Sequence, residues 1–287
     1  MNELMKRILV AVIGIPFAIV ILYLGGWYFF ITIAVVSTIG LIEFYKLAEK
    51  KDLRIFYIIP IIFLLIFEYL VFNIIYDNDL GNSLQNINFI IILSLFSFLT
   101  LLTSNLFYSS KNQLLNISVL FTGLIYILIP FSSLIIIRLM NYSKAIVFEN
   151  DISKASFILI YFSSIWLCDS AAYFIGKKWG KHKIAPQISP KKSYEGGIAG
   201  FITSVVFFPI LSKLFNLNLN LEYSLIFGAM IGLFGQVGDF VESSFKRDVG
   251  VKDSSNILSE HGGILDRFDS IMFTAPIILL ILFLINQ

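Results

Sequence analysis

The sequence predicts an all-α, polytopic membrane protein with about nine transmembrane helices and a polar, cytoplasm-facing site in its C-terminal half. Of the 287 residues, 57% are hydrophobic and 14% are charged, whereas a soluble domain carries roughly a quarter charged residues. Apolar stretches long enough to cross a bilayer, about 20 residues each, follow one another along the whole chain. The composition therefore excludes a soluble enzyme with a single membrane anchor.

Nine segments qualify as transmembrane helices. They are 8–24, 27–45, 55–76, 87–107, 114–140, 155–176, 197–215, 222–242 and 270–286. The first follows Lys6-Arg7, as the apolar core of a signal peptide would, but it is not followed by a small-residue cleavage site, and we expect it to be retained. The fifth contains Pro130, which predicts a kink or a tilt in that helix.

The basic residues predict the orientation of the spans. With nine spans, the N-terminus shares a side with the loops after spans two, four, six and eight, and 17 of the 21 Lys and Arg residues fall on that side. The other side receives Arg138, Lys144, Lys154 and Lys213. This bias predicts a cytoplasmic N-terminus and a cytoplasmic active site. The heavy use of Ile, Asn, Lys and Phe is compatible with an AT-rich bacterial genome, so a bacterial inner membrane is the expected location.

The reactive side chains are concentrated in the second half of the chain. We predict an N-terminal scaffold half of about five helices (1–150) and a C-terminal catalytic half of about four (151–287). In the first half, Glu68 and Arg138 are intramembrane charges that could be functional or pair with each other, and Arg138 could instead extend to the interface. Cys168, the one cysteine, permits no internal disulfide and is expected to be a buried packing residue.

The sixth span ends with polar residues that share one helix face. Asp169, Tyr173 and Gly176 are spaced i, i+4 and i+7, so their side chains project from the same side of the helix. Asp169 lies about two helical turns inside the cytoplasmic end. Such a carboxylate either belongs to a site that opens to the cytoplasm or hydrogen-bonds a neighbouring helix.

The loop after the sixth span is basic and contains two clusters. They are Lys177, Lys178, Lys181, His182 and Lys183, and then Ser189-Pro190-Lys191-Lys192-Ser193 followed by Glu195-Gly196-Gly197. The inside preference of positive charge and contact with anionic lipid explain the first cluster well. The second combines hydroxyls, a rigid turn, paired ammonium groups and glycines before a helix, which is typical of a polyphosphate site. The residues alone favour neither interpretation of the loop.

Three spans bring carboxylates to the same predicted membrane depth. Besides Asp169, these are Asp239 and Glu242, which share a face with Ser243 and Lys246 at the end of the eighth span, and Asp266 and Asp269 at the start of the last. A carboxylate near a lysine could be a structural ion pair. Converging carboxylates, however, repel one another unless a cation such as Mg²⁺ binds them. The pattern lacks the Cys/His spacing of a zinc site.

A glycine pair precedes the last acidic set. Gly262-Gly263 follows His261 and offers open backbone N–H groups to an anion. A lone histidine such as His261 is more often structural than catalytic. The candidate site is therefore defined by its carboxylates, lysines, arginines and glycines.

These residues resemble a known family. From Ser243 to Asp269 the chain follows Ser-x-x-Lys-Arg-x₄-Lys-Asp-x₇-His-Gly-Gly-x-x-Asp-Arg-x-Asp, which resembles the signature of the phosphatidate cytidylyltransferases (CDP-diacylglycerol synthases). The stretches Ser-Pro-Lys-Lys-Ser-x-Glu-Gly from Ser189 and Asp-x-x-Ala-Tyr-x-x-Gly from Asp169 are similar to further motifs of that family. Ser193 and the pair Ser259-Glu260 depart mildly from its pattern. The resemblance is detailed in the C-terminal half and topological in the first half.

The resemblance implies transfer of CMP from CTP to phosphatidate, giving CDP-diacylglycerol and pyrophosphate in phospholipid biosynthesis. The nucleophile would be the lipid phosphate, which is already anionic at neutral pH, so no general base is required. The protein would act by positioning and electrostatics. The family implies Mg²⁺, with Asp239 and Asp266 as the metal-binding pair, and allows a second, monovalent cation such as K⁺.

The resemblance also implies the roles of other motif residues. The expected catalytic residues are Asp169, Asp239, Lys246, Arg247, Lys252, Asp253, His261, Asp266, Arg267 and Asp269. The expected substrate-binding residues are Ser189, Lys191, Lys192, Ser193, Glu195, Ser243, Gly262 and Gly263. The expected partners are CTP, phosphatidate and the lipid bilayer, without nucleic acid, and the glycine-rich face of the eighth span permits a homodimer.

Two alternatives stay open on the residues. An ion-coupled transporter would also contain intramembrane acids, although its site would lie near the midplane, and the sequence shows no inverted repeat. A CTP-dependent kinase, or a nucleotidyltransferase that acts on another lipid, would need the same metal and phosphate ligands. Product analysis distinguishes the enzymes, and CTP binding distinguishes them from the transporter.

Overall fold

The computed structural model describes residues 3–76, 89, 91–103, 112–141, 148, 150–255, 257 and 262–286. Its helices are α1 (Glu3–Leu24), α2 (Gly26–Glu49), α3 (Ile58–Tyr76), α4 (Ile91–Thr103), α5 (Gln113–Leu139), α6 (Asp151–Trp179), α7 (Tyr194–Leu214), α8 (Leu221–Asp248) and α9 (Leu265–Ile285). An antiparallel hairpin of β1 (Lys183–Ala185) and β2 (Ser189–Ser193) joins α6 to α7. The prediction of an all-α polytopic membrane protein is confirmed.

Seven helices of the described ranges are long and apolar enough to cross a membrane. They are α2, α3 and α5 to α9, which correspond to seven of the nine predicted spans. The first predicted span lies within α1, whose described apolar side chains run over Val12–Leu24. The fourth corresponds to the shorter apolar helix Ile91–Thr103 and extends beyond the described residues. Spanning by these two segments stays a prediction.

The helices of the second half pack in chain order, and α5 joins them to the first half. Each of α6, α7 and α8 packs against the helix that follows it, while α5 packs against α2, α3 and α9. α5 runs through Pro130 as one helix. The C-terminal ends of α2 and α8 and the N-terminal end of α9 are thereby brought near one another, and this is the region in which the sequence predicts the site.

The glycine-rich face of α8 is used inside the protein. A Cβ atom on Gly228 would lie 2.5 Å from the carbonyl oxygen of Ser204 on α7, and one on Gly238 would lie 2.4 Å from that of Asp269 on α9. Only glycine allows such close approach of two helix backbones. The face that was expected to permit a homodimer is therefore occupied by α7 and α9.

The two intramembrane charges of the first half have separate partners. Glu68 is fully buried and accepts a 3.0 Å hydrogen bond from Ser37 Oγ. Arg138 is also buried, donates from Nε to the carbonyl oxygen of Leu22 at 2.9 Å, and lies 3.7 Å from Asp151. The structure thus contains neither the Glu68–Arg138 pair nor an exposed Arg138, two of the alternatives that the sequence left open.

Candidate active site

A cavity of about 770 Å³ lies where α6, the hairpin, α7 and α8 meet. The predicted catalytic and substrate-binding residues that line it are Asp169, Ser189, Lys191, Lys192, Ser193 and Asp239. These belong to three separate motifs, so the fold brings the motifs of α6, the basic loop and α8 into one site. Gln236, which sequence analysis missed, also lines the cavity and joins α8 to α7 by donating to the carbonyl oxygen of Gly197 at 3.0 Å.

The basic loop forms the hairpin wall of this cavity and then starts α7. Ser193 ends β2 and caps α7, since its Oγ accepts a 3.3 Å hydrogen bond from the N–H of Gly196. A Cβ on Gly180 would lie 2.3 Å from that same oxygen, so a glycine is required there. The Ser193 hydroxyl, which was expected to contact substrate, therefore orients α7 at the edge of the cavity.

An ion pair connects the hairpin to α8. Lys192 pairs with Asp239, and its ammonium group also lies 4.4 Å from the ring centroid of Phe240. Asp239 accepts a further 3.2 Å hydrogen bond from Ser243 Oγ. Both charged side chains are partly exposed, and Lys191 beside them is exposed. The pair therefore lies at the cavity surface, where a bound anion could replace Asp239 as the partner of Lys192.

Two further carboxylates, from two other helices, lie near the Asp239 carboxylate of this pair. Asp169 of α6, Asp239 of α8 and Asp269 of α9 lie within electrostatic range of one another. Asp269 accepts a 2.6 Å hydrogen bond from the N–H of Ser270. Asp169 accepts no hydrogen bond from the described residues. Negative charge at this junction is thus only partly compensated by the protein.

A second, smaller cavity of about 150 Å³ adjoins the acidic cluster. It is lined by Asp169, Asp266, Asp269 and Arg267 together with apolar side chains such as Trp166. Asp169 lines both cavities. This geometry places one carboxylate between a large basic cavity and a small one with an apolar wall.

Asp266 belongs to a separate buried network. Its Oδ1 accepts a 2.6 Å hydrogen bond from Lys246 Nζ. Its Oδ2 accepts from Ser254 N at 2.9 Å, Ser254 Oγ at 2.8 Å and Gly263 N at 2.7 Å. Lys246 also lies 2.5 Å from Glu242. Lys246 and Gly263, which were expected to contact phosphate, bind Asp266 in this structure.

The conformation of the Gly262-Gly263 segment explains the glycine at its first position. Gly262 has a φ of +78°, and a Cβ there would lie 2.6 Å from Asp266 Oδ2. A side chain would therefore be strained by the backbone and would collide with the carboxylate. The glycine pair shapes the segment before α9 so that it closes around Asp266.

The remaining predicted residues lie around this core. Arg247 is exposed and donates to the carbonyl oxygens of Ile188 and Val251 at 3.2 and 2.7 Å, so it braces the hairpin. Glu195 lies 2.6 Å from Nδ1 of His182 at the base of the hairpin. Of the other predicted catalytic residues, Lys252, Asp253 and Arg267 are exposed, and His261 lies outside the described residues.

Glu43 of α2 is a second residue that sequence analysis missed. It is fully buried and accepts hydrogen bonds from the segment that leads into α9. An acid inside the predicted span 27–45 was a usable signal, because intramembrane carboxylates are rare and need partners. The predicted site included no residue of the first half, whereas Glu43 of α2 contacts Ser254, which also contacts Asp266.

The acidic cluster fits a divalent cation that is completed by substrate. Among the described residues, groups of three Asp, Glu, His or Cys side chains that could hold a metal by themselves are absent. Mg²⁺, however, is usually bound by one or two carboxylates together with phosphate and water. Asp239, Asp169 and Asp269 supply such oxygens with few competing donors, whereas Asp266 would have to exchange a protein donor for the ion.

Comparisons with known proteins agree with these features. A sequence model described as the cytidylyltransferase family matches residues 5–285. The chain is 50% identical over 127 residues to a phosphatidate cytidylyltransferase of Staphylococcus haemolyticus, and 48% identical over 128 residues to one of Staphylococcus aureus. Each alignment covers 44% of this chain and 48% of the relative. The chain thus spans about half the length of the curated relatives it matches.

The two predicted metal ligands should differ in their effect on stability. Asp266→Asn removes the charge, turns one of the two acceptor oxygens into an N–H₂ donor facing protein donors, and leaves Lys246 with one acidic partner. We therefore expect a fall in Tm of several degrees in detergent, since breaking such a buried pair costs about 3–5 kcal/mol. Asp239→Asn disrupts a partly exposed pair, worth about 0–1 kcal/mol, and should leave Tm nearly unchanged. Thermal unfolding of both variants checks this, and equal Tm values for the two would contradict it.

Proposed function

We propose that this chain, which belongs to the cytidylyltransferase family, transfers CMP from CTP to phosphatidate and so forms CDP-diacylglycerol and pyrophosphate. Family membership and the names of the staphylococcal relatives support the proposal. The observation that carries it is the 770 Å³ cavity in which the lysines of the hairpin face the carboxylates of α6 and α8. This arrangement suits an anionic nucleotide and a cation together.

The triphosphate of CTP is proposed to bind in the large cavity. Lys191 and Lys192 line it beside the N-terminus of α7, and both ammonium groups and helix N-termini attract phosphate. A bound triphosphate would compete with Asp239 for Lys192. The exchange would transfer Lys192 to phosphate and leave Asp239 available to a cation.

Asp239, with Asp169 or Asp269, is proposed to hold Mg²⁺. The ion, when bound, would supply charge neutralisation at the reacting phosphates. Asp266 is not included in this proposal because four protein hydrogen bonds occupy its oxygens. Metal binding by Asp239 with Asp266, the pair expected from the sequence, stays a prediction. A second, monovalent cation also stays a prediction.

The phosphate of phosphatidate is proposed to attack from the side of the small cavity. Arg267 lies at that cavity with apolar side chains such as Trp166, so a lipid headgroup would meet a positive charge next to an apolar wall. A bond forms between a lipid phosphate oxygen and the α-phosphorus of CTP, and the bond from that phosphorus to the β-phosphate oxygen breaks. Pyrophosphate leaves with the bonding electrons, and no proton transfer is needed. The protein contributes alignment and charge stabilisation.

The site is proposed to face the cytoplasm of a bacterial cell, in the inner membrane. The lysines of the hairpin and the basic end of α8 lie on the side that the distribution of Lys and Arg assigns to the cytoplasm. CTP is available there, and the lipid would enter from the bilayer. The bacterial relatives support this location.

Product analysis tests the proposed reaction. Purified protein in detergent is incubated with phosphatidate, Mg²⁺ and CTP labelled on the α-phosphate, beside Asp239→Asn. We expect label in CDP-diacylglycerol, one pyrophosphate per lipid product, and loss of both in the variant and in EDTA. Transfer of a γ-label to lipid would instead indicate a CTP-dependent kinase. CTP binding without any labelled lipid would indicate another acceptor, and absence of CTP binding would favour the transporter.

Neutralising one hairpin lysine should weaken CTP binding selectively. Lys192→Gln removes a charge-assisted contact worth about 1.5–3 kcal/mol, so the KM for CTP should rise about tenfold or more, each 1.4 kcal/mol being a factor of about ten. Lys178→Gln is the matched control, because Lys178 lies outside the cavity lining and stacks 4.6 Å from the ring centroid of Trp179. Steady-state kinetics at varied CTP check this. An equal rise in both variants would indicate a general effect of charge and contradict a specific contact.

A further inference from the structure

We propose that Glu43 of α2 is a positioning residue for the transfer reaction, through the segment that leads into α9. The proposal rests on the proposed function for its kinetic part. It assigns to the first half of the chain a direct part in the geometry of the site. Among the described residues, every donor to the Glu43 carboxylate lies in the segment 254–265.

Glu43 is a buried carboxylate with a complete set of protein donors. Its side chain has no exposed surface. Oε1 accepts from Ser255 Oγ and from the N–H of Ile264 at 3.0 Å, and Oε2 accepts from the N–H of Leu265 at 2.9 Å. The Ser254 hydroxyl, whose single proton is shared with Asp266, lies 3.3 Å from Oε2. A carboxylate in an apolar helix is stable only when hydrogen bonds replace water in this way.

The Glu43 carboxylate caps the N-terminus of α9 from another helix. The residue at the cap position of α9, Ile264, has no side-chain hydrogen bond that could satisfy the free backbone N–H groups. The first N–H groups of a helix lack partners within the helix and carry partial positive charge, so a carboxylate is the favoured acceptor. Glu43 binds two of them and thereby fixes where α9 begins relative to α2.

The same network continues directly to the candidate site. Ser254 Oγ lies within hydrogen-bonding distance of both Glu43 Oε2, at 3.3 Å, and Asp266 Oδ2, at 2.8 Å. Gly263, whose N–H binds Asp266, is closely packed against Glu43, because a Cβ on it would lie 2.5 Å from Glu43 Oε2 and 2.1 Å from Ser254 Oγ. A displacement of Glu43 therefore displaces two residues that bind Asp266.

The position of α9 also determines the position of the acidic cluster. Asp269 lies one helical turn after Asp266 and lines the small cavity with Asp169. The large cavity is built from α6, the hairpin, α7 and α8, without a residue of α2 or α9 in its lining. Loss of the Glu43 contacts should therefore disturb the alignment of the lipid side of the site more than the binding of CTP.

The kinetic test compares Glu43→Gln with Glu68→Gln. The glutamine at position 43 keeps the shape but turns an N–H₂ group toward backbone donors. We expect kcat per CTP-binding site to fall about tenfold or more, with the KM for CTP within about twofold of the unchanged protein, the pattern of a lost transition-state interaction. Glu68 is the matched control, because it is also a buried carboxylate of the first half but contacts Ser37 of α2. Glu68→Gln should leave both kcat and the KM for CTP unchanged.

A residue that only holds the helices together would give a different result. Glu43→Gln would then lower Tm and the number of CTP-binding sites, measured by titration calorimetry, while kcat per site stayed unchanged. That outcome, or a parallel rise in the KM for CTP, overturns the proposal.

If Glu43→Gln does not fold, Ser254→Ala and Ser255→Ala replace it. Ser254 contacts both carboxylates, whereas Ser255 contacts that of Glu43 but not that of Asp266, and also accepts from the N–H of Ile257. Ser255→Ala should therefore also lower kcat, though less than Ser254→Ala, and an unchanged kcat in Ser255→Ala contradicts the proposal.

Hydrogen exchange tests the positioning role without reference to activity. In the unchanged protein the amides of Ile264 and Leu265 donate to Glu43 and should exchange slowly. Glu43→Gln should speed their exchange, and Glu68→Gln should not. Unchanged protection would overturn the role of Glu43, while a protein that shows the protection change but transfers no CMP would overturn the proposed function alone.

Discussion

The accumulation of negative charge at the C-terminal ends of α6 and α8 and the N-terminal end of α9 is the constraint on which the rest of the structure depends. Carboxylates in an apolar surrounding require hydrogen bonds or opposite charges. Asp266 and Glu242 meet this requirement through Lys246 and the segment before α9. Asp169, Asp239 and Asp269 meet it only in part, with Lys192 as an exchangeable partner. The first group is built for rigidity, and the second is proposed to be completed by Mg²⁺ and CTP.

This division explains why the molecule needs both halves. The motifs that resemble cytidylyltransferases lie after residue 160, yet α9, which carries two of the acids, is packed against α5 and capped by Glu43 of α2. Tyr126 of α5 also lies within electrostatic range of the carboxylates of Glu242, Asp239 and Asp269. Two helices of the first half, α2 and α5, therefore contact the helix that carries Asp266 and Asp269. The division into a scaffold half and a catalytic half stays a prediction.

Much of the architecture could be predicted from the sequence because long apolar runs leave few alternatives to membrane-spanning helices. The convergence of Asp169, Lys192 and Asp239 followed from motif spacing at helix ends. The partners of Ser193, Lys246 and Gly263 could not be predicted, since each type suits phosphate as well as a helix cap or a buried carboxylate. Glu43 was missed because its donors lie more than 200 positions away in the chain, a pairing that local patterns do not encode.

The most direct measurement is the affinity for CTP with and without Mg²⁺, in the unchanged protein and in Asp239→Asn. If cation and nucleotide together compensate the acidic cluster, Mg²⁺ should tighten CTP binding about tenfold or more, which corresponds to about 1.4 kcal/mol. That gain should disappear in Asp239→Asn. CTP binding that is equally tight without Mg²⁺, or a gain that the variant retains, would contradict the account.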